Sequence, residues 1–404
     1  MRRIIALSLF ILLALNVSLF AQNIWLQRTN FPGSPRIHAV AFAINNKVYV
    51  GTGWDNSSTY YKDFYEYDPP TDTWTKKADF PGVARYAAIG FSIGEKGYIG
   101  CGRVGNTYYN DFYEYDPLLD TWTQKTNFIG TGRHHPIGFG IGTKGYLGLG
   151  QRGSTLYNDW YEYDPSFNLW TKKTNFGGAG RHAAVSFVIG TDGYVGCGYI
   201  GTGYIDDFWK YNSDGDTWTK IANYSGAGRE HTIGFAIGEF GYVGTGFSGS
   251  DDTKDFWQYN PINNSWVQKV DFGGTVREGA VAVGIGTSGY VGTGWDSTNR
   301  NDFWRYSTVS SVEEISSSLT ASIFPNPSSD YVNFSYKNFS GGNIEIELLD
   351  ILGRKIATLH SGSTAKGQIV ESFDVRKIPK GMYQIRIVEN STNIARQMIT
   401  FCRN

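Results

Sequence analysis

Residues 181–218 read RHAAVSFVIGTDGYVGCGYIGTGYIDDFWKYNSDGDTW, and nearly the same string occurs several times before and after them. Its first arginine and its last tryptophan return in steps of 48 or 49 residues. The repeated arginines are Arg36, Arg85, Arg133, Arg181, Arg229 and Arg277, and the repeated tryptophans are Trp25, Trp74, Trp122, Trp170, Trp218 and Trp266. A period of this length predicts a solenoid or a propeller.

One repeat contains four apolar runs, at residues 183–189, 194–198, 208–211 and 217–219, which are too short for helices. Turns rich in Gly, Asp and Asn separate them, so each unit is predicted to be a four-stranded antiparallel meander. The composition agrees, because 51 glycines, 16% aromatic residues and only 18% charged residues are typical of a tightly turned all-β protein.

Charge and cysteine content narrow the class of protein further. A formal net charge of -1 provides no basic surface for nucleic acid. Cys101 and Cys197 occupy the same position of two different repeats, so they are predicted to lie too far apart for a disulfide. With 404 residues, the chain is long enough for two or three domains.

Residues 1–21 are predicted to be a secretory signal peptide. Arg2 and Arg3 precede the apolar run 4–15, and Ala21 is a small residue suited to cleavage before Gln22. The apolar run is too short to span a bilayer, and no later stretch is long and apolar enough for a membrane helix. The sequence therefore predicts an exported protein with no integral membrane segment.

The number of repeated strands predicts how the repeats are closed. The Gly-Tyr-x-Gly-x-Gly strand occurs six times, with Val48 replacing the first glycine of the first copy, and the Asp-aromatic-x-x-Tyr strand also occurs six times. The Trp strand occurs six times as well, but its first copy, residues 24–29, precedes any full unit, and the last unit ends at Tyr306 without one. We therefore predict an all-β, six-bladed propeller over residues 22–306, closed by its N-terminal strand so that no sheet edge stays unpaired.

The order of these landmarks resembles kelch repeats: an arginine, an apolar strand, Tyr-x-Gly-x-Gly, Asp-Phe-x-x-Tyr-Asp-Pro and Thr-Trp. A period near 48 agrees with that family, although the paired glycines of the family appear here as Gly-x-Gly, as in Gly100-Cys101-Gly102. The resemblance implies a kelch-type propeller fold. It implies no particular activity, because fold and function are separable.

The composition changes after Tyr306. Residues 307–320 are rich in serine and are predicted to be a flexible linker, and the alternating strands of residues 321–404 predict a small Ig-like β-sandwich. Three landmarks of this tail resemble the type A C-terminal sorting domain of the type IX secretion system: Pro-Asn-Pro at 325–327, Asp-x-x-Gly-Arg at 350–354, and a later Gly-x-Tyr strand. The resemblance implies that the type IX machinery of a member of the Bacteroidota carries the protein through the periplasm and outer membrane to the cell surface or medium.

The repeated arginines lie, in a four-stranded blade, at the same level as six repeated aspartates. These are Asp63, Asp111, Asp159, Asp207, Asp255 and Asp302. A structural girdle of ion pairs is favoured over an anion site, because a buried arginine needs a partner. In some kelch relatives the corresponding arginine binds acidic ligands, so that alternative stays open.

Histidines follow the repeated arginines in several blades. His38, His135 and His231 fall in alternate blades, so they would form a pseudo-threefold set near the axis that could in principle bind a metal. The same position holds Ala87, Ala183 and Gly279 in the other three blades. We therefore predict no metal site and no cofactor.

Positions that differ from blade to blade are candidates for ligand binding, because features repeated in every blade serve the scaffold. Six such positions follow Gly-x-Gly and six follow the arginine, all on one face of the ring. The predicted ligand-binding residues at this mouth are Trp54, Arg103, His134, His182, Tyr199, Glu230, Phe247 and Trp295. Trp54 and Trp295 are expected to form one aromatic cluster across the closure, and Tyr199 and Phe247 a second.

These features predict a binding module for an extracellular glycan or protein ligand, with no catalytic residue singled out. One alternative is a kelch-propeller enzyme of the oxidase or sugar mutarotase type, although no residue pattern here carries either activity over. Another alternative is a purely structural or adhesive surface protein.

Overall fold

The structure of this protein is a computed structural model that describes residues 24–308, 321–324, 330–338, 342–350, 355–364, 367–389 and 395–403. The chain divides into two compact units between Val309 and Ser310. The predicted signal peptide and most of the predicted linker lie outside the described residues. Within the described ranges, no helix has the length and apolar character needed to cross a membrane.

Residues 24–308 form six four-stranded antiparallel sheets, the blades of a propeller. Inner strands of successive blades contact each other, and those of blades 6 and 1 do so too, which closes the ring. From the inner strand outward the blades are Val40–Ile44, Lys47–Gly51, Phe64–Asp68 and Thr73–Lys77; Ile89–Ile93, Lys96–Gly100, Phe112–Asp116 and Thr121–Gln124; Ile137–Ile141, Lys144–Gly148, Trp160–Asp164 and Leu169–Lys173; Val185–Ile189, Asp192–Gly196, Phe208–Asn212 and Thr217–Ile221; Ile233–Ile237, Phe240–Gly244, Phe256–Asn260 and Ser265–Lys269; and Val281–Ile285, Ser288–Gly292, Phe303–Ser307 and Ile24–Arg28. The predicted six-bladed all-β fold is confirmed.

The outer strand of blade 6 comes from the N-terminal end of the described chain. Ile24–Arg28 pairs antiparallel with Phe303–Ser307, and Trp25 lies opposite Tyr306. Without this pairing, Phe303–Ser307 would present a row of open N–H and C=O groups to solvent. The predicted closure by the N-terminal strand is confirmed.

Glycine in the Gly-Tyr strand has a packing reason. In blade 2, a side chain at Gly97 would collide with the ring of Phe42 in blade 1, and the same pairing of glycine with phenylalanine recurs at the next four interfaces. Between blades 6 and 1 both partners differ, because Val48 replaces the glycine, Val283 replaces the phenylalanine, and the two valines share one buried cluster. The larger residue on one blade is offset by the smaller residue on the other, which preserves the close packing of the interface.

A repeated latch fastens each blade to the one before it. In blade 2, Trp122 Nε1 donates a hydrogen bond to the Ala78 carbonyl (2.9 Å), and the Ala78 N–H donates to Asp120 Oδ1 (3.0 Å). The tryptophans that make the same contact are Trp74, Trp170, Trp218 and Trp266. Blade 6 differs because its outer strand follows no turn that could supply the Asp or Asn, and the buried Trp25 Nε1 has no hydrogen-bond partner among the described residues. The interface between blades 5 and 6 therefore lacks this latch.

The second unit contains two antiparallel sheets. One has the strand order Ala321–Phe324, Tyr331–Asn338 and Gly367–Asp374, and the other has the order Lys355–Thr364, Gly342–Leu349, Gly381–Glu389 and Ala395–Arg403. One apolar core contains the buried residues Val332, Ile346, Leu348, Val375, Tyr383 and Ile385. The Pro-Asn-Pro opening and residues 351–354 of the turn motif lie outside the described residues, and the Ig-like sandwich stays a prediction.

Candidate functional site

Six buried arginines form a girdle beneath one end of the propeller. Arg181 is typical, since its Nη1 and Nη2 donate to Asp207 Oδ1 (2.5 Å) and Oδ2 (3.1 Å), and Nη1 also donates to the Cys197 carbonyl (3.0 Å). The other pairs are Arg36–Asp63, Arg85–Asp111, Arg133–Asp159, Arg229–Asp255 and Arg277–Asp302. All six arginines are buried. Because their donors are taken up by the blade itself, the structural interpretation is confirmed over the anion site.

The Gly-x-Gly turn directs the chain from the blade toward this end. In blade 2, Cys101 and Gly102 have φ of 60° and 89°, and the Gly102 N–H donates to the Arg133 carbonyl of blade 3 (2.8 Å). The equivalent bond is present at every blade interface and includes the closure, where the Gly294 N–H donates to the Arg36 carbonyl (2.8 Å). Neighbouring blades are tied together at this level, so the residues that follow the turn have fixed positions.

The residue after Gly-x-Gly pairs with the residue after the arginine of the same blade. These isolated antiparallel bridges are Ile37–Trp54, Tyr86–Arg103, His134–Gln151, His182–Tyr199, Glu230–Phe247 and Glu278–Trp295. The loop then returns through short hairpins, Arg103–Val104 with Thr107–Tyr108 and Gln151–Arg152 with Thr155–Leu156, or through the bridges Trp54–Tyr60, Tyr199–Tyr204, Phe247–Asp252 and Trp295–Asn299. The structure therefore brings all eight predicted site residues to the same end of the ring, which we call the mouth.

The aromatic residues near the closure are grouped differently from the prediction. The ring of Trp54 lies 5.0 Å from that of Tyr86, and Tyr60 packs against both. Trp295 instead lines a pocket on the blade 5 side. The expected pairing of Trp54 with Trp295 is wrong, because Tyr86 of the neighbouring blade supplies a large aromatic surface that holds Trp54 on the side of blade 2.

The second predicted cluster forms, but through an intermediary. Tyr204, on the returning half of the blade 4 loop, lies 5.1 Å from Tyr199 and 5.6 Å from Phe247, measured between ring centroids. Tyr204 therefore connects the aromatic residues of blades 4 and 5.

A pocket of about 560 Å³ lies at the mouth between blades 5 and 6. Phe247 and Trp295 line it together with the carboxyl groups of Glu230, Asp252 and Glu278. Burial raises the pKa of Asp252 to about 6, with a contribution from the negative charge of Glu278. Burial also raises the pKa of Glu230. An apolar wall beside several hydrogen-bond acceptors is typical of a small-ligand site.

Five histidines gather at the axis beneath the mouth. His134 Nδ1 lies 3.0 Å from His135 Nδ1, and His182 lies on the other side of His135 with 5.8 Å between ring centroids. Burial lowers the pKa of His134 to about 3 and that of His182 to about 4, so both rings are neutral at neutral pH. The other two, His38 and His231, complete the pseudo-threefold set with His135, whose predicted proximity is confirmed.

Sequence reasoning missed the site residues on the returning half of each loop. Tyr60, Tyr204 and Asp252 bridge back to positions five or six residues earlier in the chain. A hairpin after Gly-x-Gly would have placed them at the mouth, but the loops carry only weak strand signals.

Comparisons with known proteins agree with this architecture. The family described as "KLHDC2/KLHL20/DRC7 Kelch-repeats domain" matches residues 12–198, and the family described as "Secretion system C-terminal sorting domain" matches residues 322–400. A solved structure titled "Structure of YjhT" is similar with a TM-score of 0.61 and 17% identity, over 68% of this chain and 95% of that chain, which shows the fold alone. No curated protein matches the sequence.

The tail match bears on where the protein goes. A sorting domain of this family indicates export through the type IX secretion machinery, to the cell surface or into the medium. The match to kelch repeats, together with six blades that carry one Arg–Asp pair each, identifies the first unit. The chain is an exported member of the kelch-repeat propellers that ends in a type IX C-terminal sorting domain.

Proposed function

We propose that this propeller is a binding module that holds an extracellular glycan or protein ligand at its mouth, with a glycan favoured. The observation that carries the proposal is the pocket between blades 5 and 6. The girdle recurs in every blade and the latch in five of the six, whereas the residues lining this pocket vary between blades. Repeated residues maintain the scaffold, and residues that vary are free to recognise a ligand.

The chemistry of the pocket suits a carbohydrate. Its volume of about 560 Å³ is within the range of small-ligand sites. The rings of Phe247 and Trp295 offer apolar surface for the C–H faces of a sugar, and the carboxylates of Glu230 and Glu278 accept hydrogen bonds from hydroxyl groups. A protein ligand would need a wider surface, about 800 Å² on each partner, and would extend to the Trp54 cluster.

Blade 2, opposite blade 5 in the ring, provides a cation. The Arg103 guanidinium lies 5.0 Å from the centre of the Tyr86 ring, and its Nε donates to the Tyr86 hydroxyl. Tyr86 is buried and so restricts the orientation of Arg103. The mouth therefore has acceptors on one side and a positioned donor on the other, which favours a ligand with both kinds of group.

The test is a glycan array probed with labelled mature protein. The double substitution Phe247→Ala with Trp295→Ala should abolish binding and shift the melting temperature by only a few degrees, because both rings are partly exposed. The matched control is Phe167→Ala, since Phe167 is 78% exposed in a turn at the opposite end of blade 3. Failure of the unmodified protein to bind any glycan or protein ligand would favour the structural or adhesive alternative.

One observation favours an enzyme as a second candidate. Asp252 has a pKa of about 6, and its buried Oδ1 has no hydrogen-bond partner among the described residues. A carboxyl that keeps its proton beside other carboxylates is a common arrangement for acid–base catalysis. NMR of candidate sugars with the protein and with Asp252→Asn would reveal turnover. Binding without turnover would leave the binding module as the function.

A further inference from the structure

Three imidazoles form a nearly equilateral triangle on the propeller axis. The ring centroids are 4.5 Å apart for His38 and His135, 4.4 Å for His38 and His231, and 4.7 Å for His135 and His231. One ring nitrogen from each lies within 4.8 Å of those of the other two. They come from blades 1, 3 and 5, so the approximate symmetry of the ring produces the arrangement.

The backbone holds these residues rigidly. In each blade the residue at this position has a positive φ, with values of 54° for His38, 48° for His135 and 53° for His231. The chain forms hydrogen bonds from blade to blade here: the His135 N–H donates to the Ala87 carbonyl (2.9 Å), and the His38 N–H donates to the Gly279 carbonyl (2.9 Å). Non-glycine residues adopt this conformation at a cost, which the surrounding ring of hydrogen bonds offsets.

The alternating blades leave room for the rings. Ala87, Ala183 and Gly279 occupy the three positions between the histidines. A Cβ atom on Gly279 would lie 2.8 Å from Nδ1 and Cε1 of His38, so a larger residue there would displace the His38 ring. Small residues between the histidines thus permit all three imidazoles to face one point.

Hydrogen bonds to Nδ1 determine which nitrogens remain open. His231 Nδ1 lies 2.7 Å from Glu278 Oε2, so Nδ1 carries the proton and Nε2 carries the lone pair. His135 Nδ1 shares a proton with His134 Nδ1 at 3.0 Å. The Nε2 atoms of His135 and His231 are both buried and have no hydrogen-bond partner among the described residues.

This pattern matches what metal sites require. A histidine ligand commonly donates its second N–H to a carboxylate, which fixes the tautomer and the ring orientation. Burial and the neighbouring imidazoles lower the pKa of His38 and His135 well below the usual value, which keeps their lone pairs free of protons. Three imidazoles at about 2.1 Å from one ion need nitrogens about 3.4 Å apart, a contraction that small ring rotations can supply.

We propose that His38, His135 and His231 form a three-histidine site for a divalent transition metal of the zinc or copper class, with Glu278 as the positioning residue for His231. Imidazole ligands favour these ions over Ca²⁺ and Mg²⁺, which prefer oxygen. His231 also lines the pocket between blades 5 and 6, so the site adjoins the mouth. The metal site does not depend on which ligand the mouth binds.

The experiment uses mature protein with a histidine-free tag, stripped of metal by a chelator and titrated with ZnCl₂ in a calorimeter. We expect one Zn²⁺ per chain. Each of His38→Ala, His135→Ala and His231→Ala should weaken binding by more than the about 10–100-fold typical of a lost outer partner, and Glu278→Gln by about 10-fold. The alanine variants should fold, because Ala87 and Ala183 occupy the same position of other blades with the same positive φ.

Two controls locate the ion. His182→Ala should leave Zn²⁺ affinity unchanged, although His182 belongs to a second group with His134 and His135 that could hold a metal. His360→Ala, in the second unit, should also have no effect. The proposal is overturned if neither Zn²⁺ nor Cu²⁺ binds at one ion per chain, or if binding survives His38→Ala and disappears in His182→Ala.

Discussion

The closing strand offers a direct measurement of what holds the ring together. Trp25 packs against Phe256 (5.0 Å), Phe272 (4.9 Å) and Tyr306 (4.9 Å), measured between ring centroids. Trp25→Ala removes this packing but no hydrogen bond, because its Nε1 has no partner among the described residues. We expect a loss of about 3 kcal/mol, at the low end for a packed tryptophan because the ring is only partly buried. For a domain of this size that lowers the melting temperature by roughly 6–12 °C.

Trp122 is the matched comparison in blade 2. It has the same three-ring environment, with Phe64 at 5.1 Å, Phe80 at 5.5 Å and Tyr115 at 4.8 Å, and it keeps the latch. Trp122→Ala should therefore cost about 1 kcal/mol more than Trp25→Ala. All 12 tryptophans lie in the first unit, so thermal unfolding followed by tryptophan fluorescence reports on the propeller alone.

Deletion of residues 24–29 is the stronger perturbation. It removes the whole pairing with Phe303–Ser307 as well as Trp25, so the loss should exceed that of Trp25→Ala. An unchanged melting temperature for this deletion would refute closure by the N-terminal strand. Equal losses in Trp25→Ala and Trp122→Ala would refute the contribution assigned to the latch.

Three further outcomes are expected. A chain ending at Ser318 should fold yet stay in the periplasm of its native host, and its normal delivery to the surface would contradict the role of the tail. Arg85→Ala leaves the Asp111 carboxylate without its guanidinium and should cost about 3 kcal/mol, measured by denaturant unfolding; a loss near zero would contradict the girdle. The folded-state pKa is about 3 for His134 and about 4 for His182, against an unfolded value of about 6.5. Below pH 6.5 the unfolded chain binds protons that the folded chain does not, so stability should fall from pH 6.5 toward 4, and the double substitution of both histidines by alanine should flatten that profile of melting temperature against pH.

Much of the scaffold could be predicted because its signals are local and repeated. Six copies of each strand pattern placed every blade, and the displaced copy at Trp25 predicted the closure. The pairing of Arg181 with Asp207 followed from the path of an antiparallel blade, in which both residues lie at one level. Errors in any single copy were corrected by the other five.

The candidate site was predicted less completely. Variation between blades identified the residues of the mouth, such as Trp54 and Phe247, but not their neighbours. Tyr60, Tyr204 and Asp252 lie on loops whose length differs between blades, so no repeated spacing marked them. Their positions depend on short hairpins that form only above a completed blade.

The sequence by itself determined the strands, the number of blades, the closure and the Arg–Asp girdle, because each depends on spacing along the chain. Only the tertiary structure decided that Trp54 packs with Tyr86 rather than Trp295, that Trp25 lacks the latch, and that the Nε2 atoms of His135 and His231 are open. These contacts join different blades. Their geometry depends on how far each blade is rotated about the axis relative to the next, and that rotation results from the packing of all the interfaces together, which no local pattern of residues encodes.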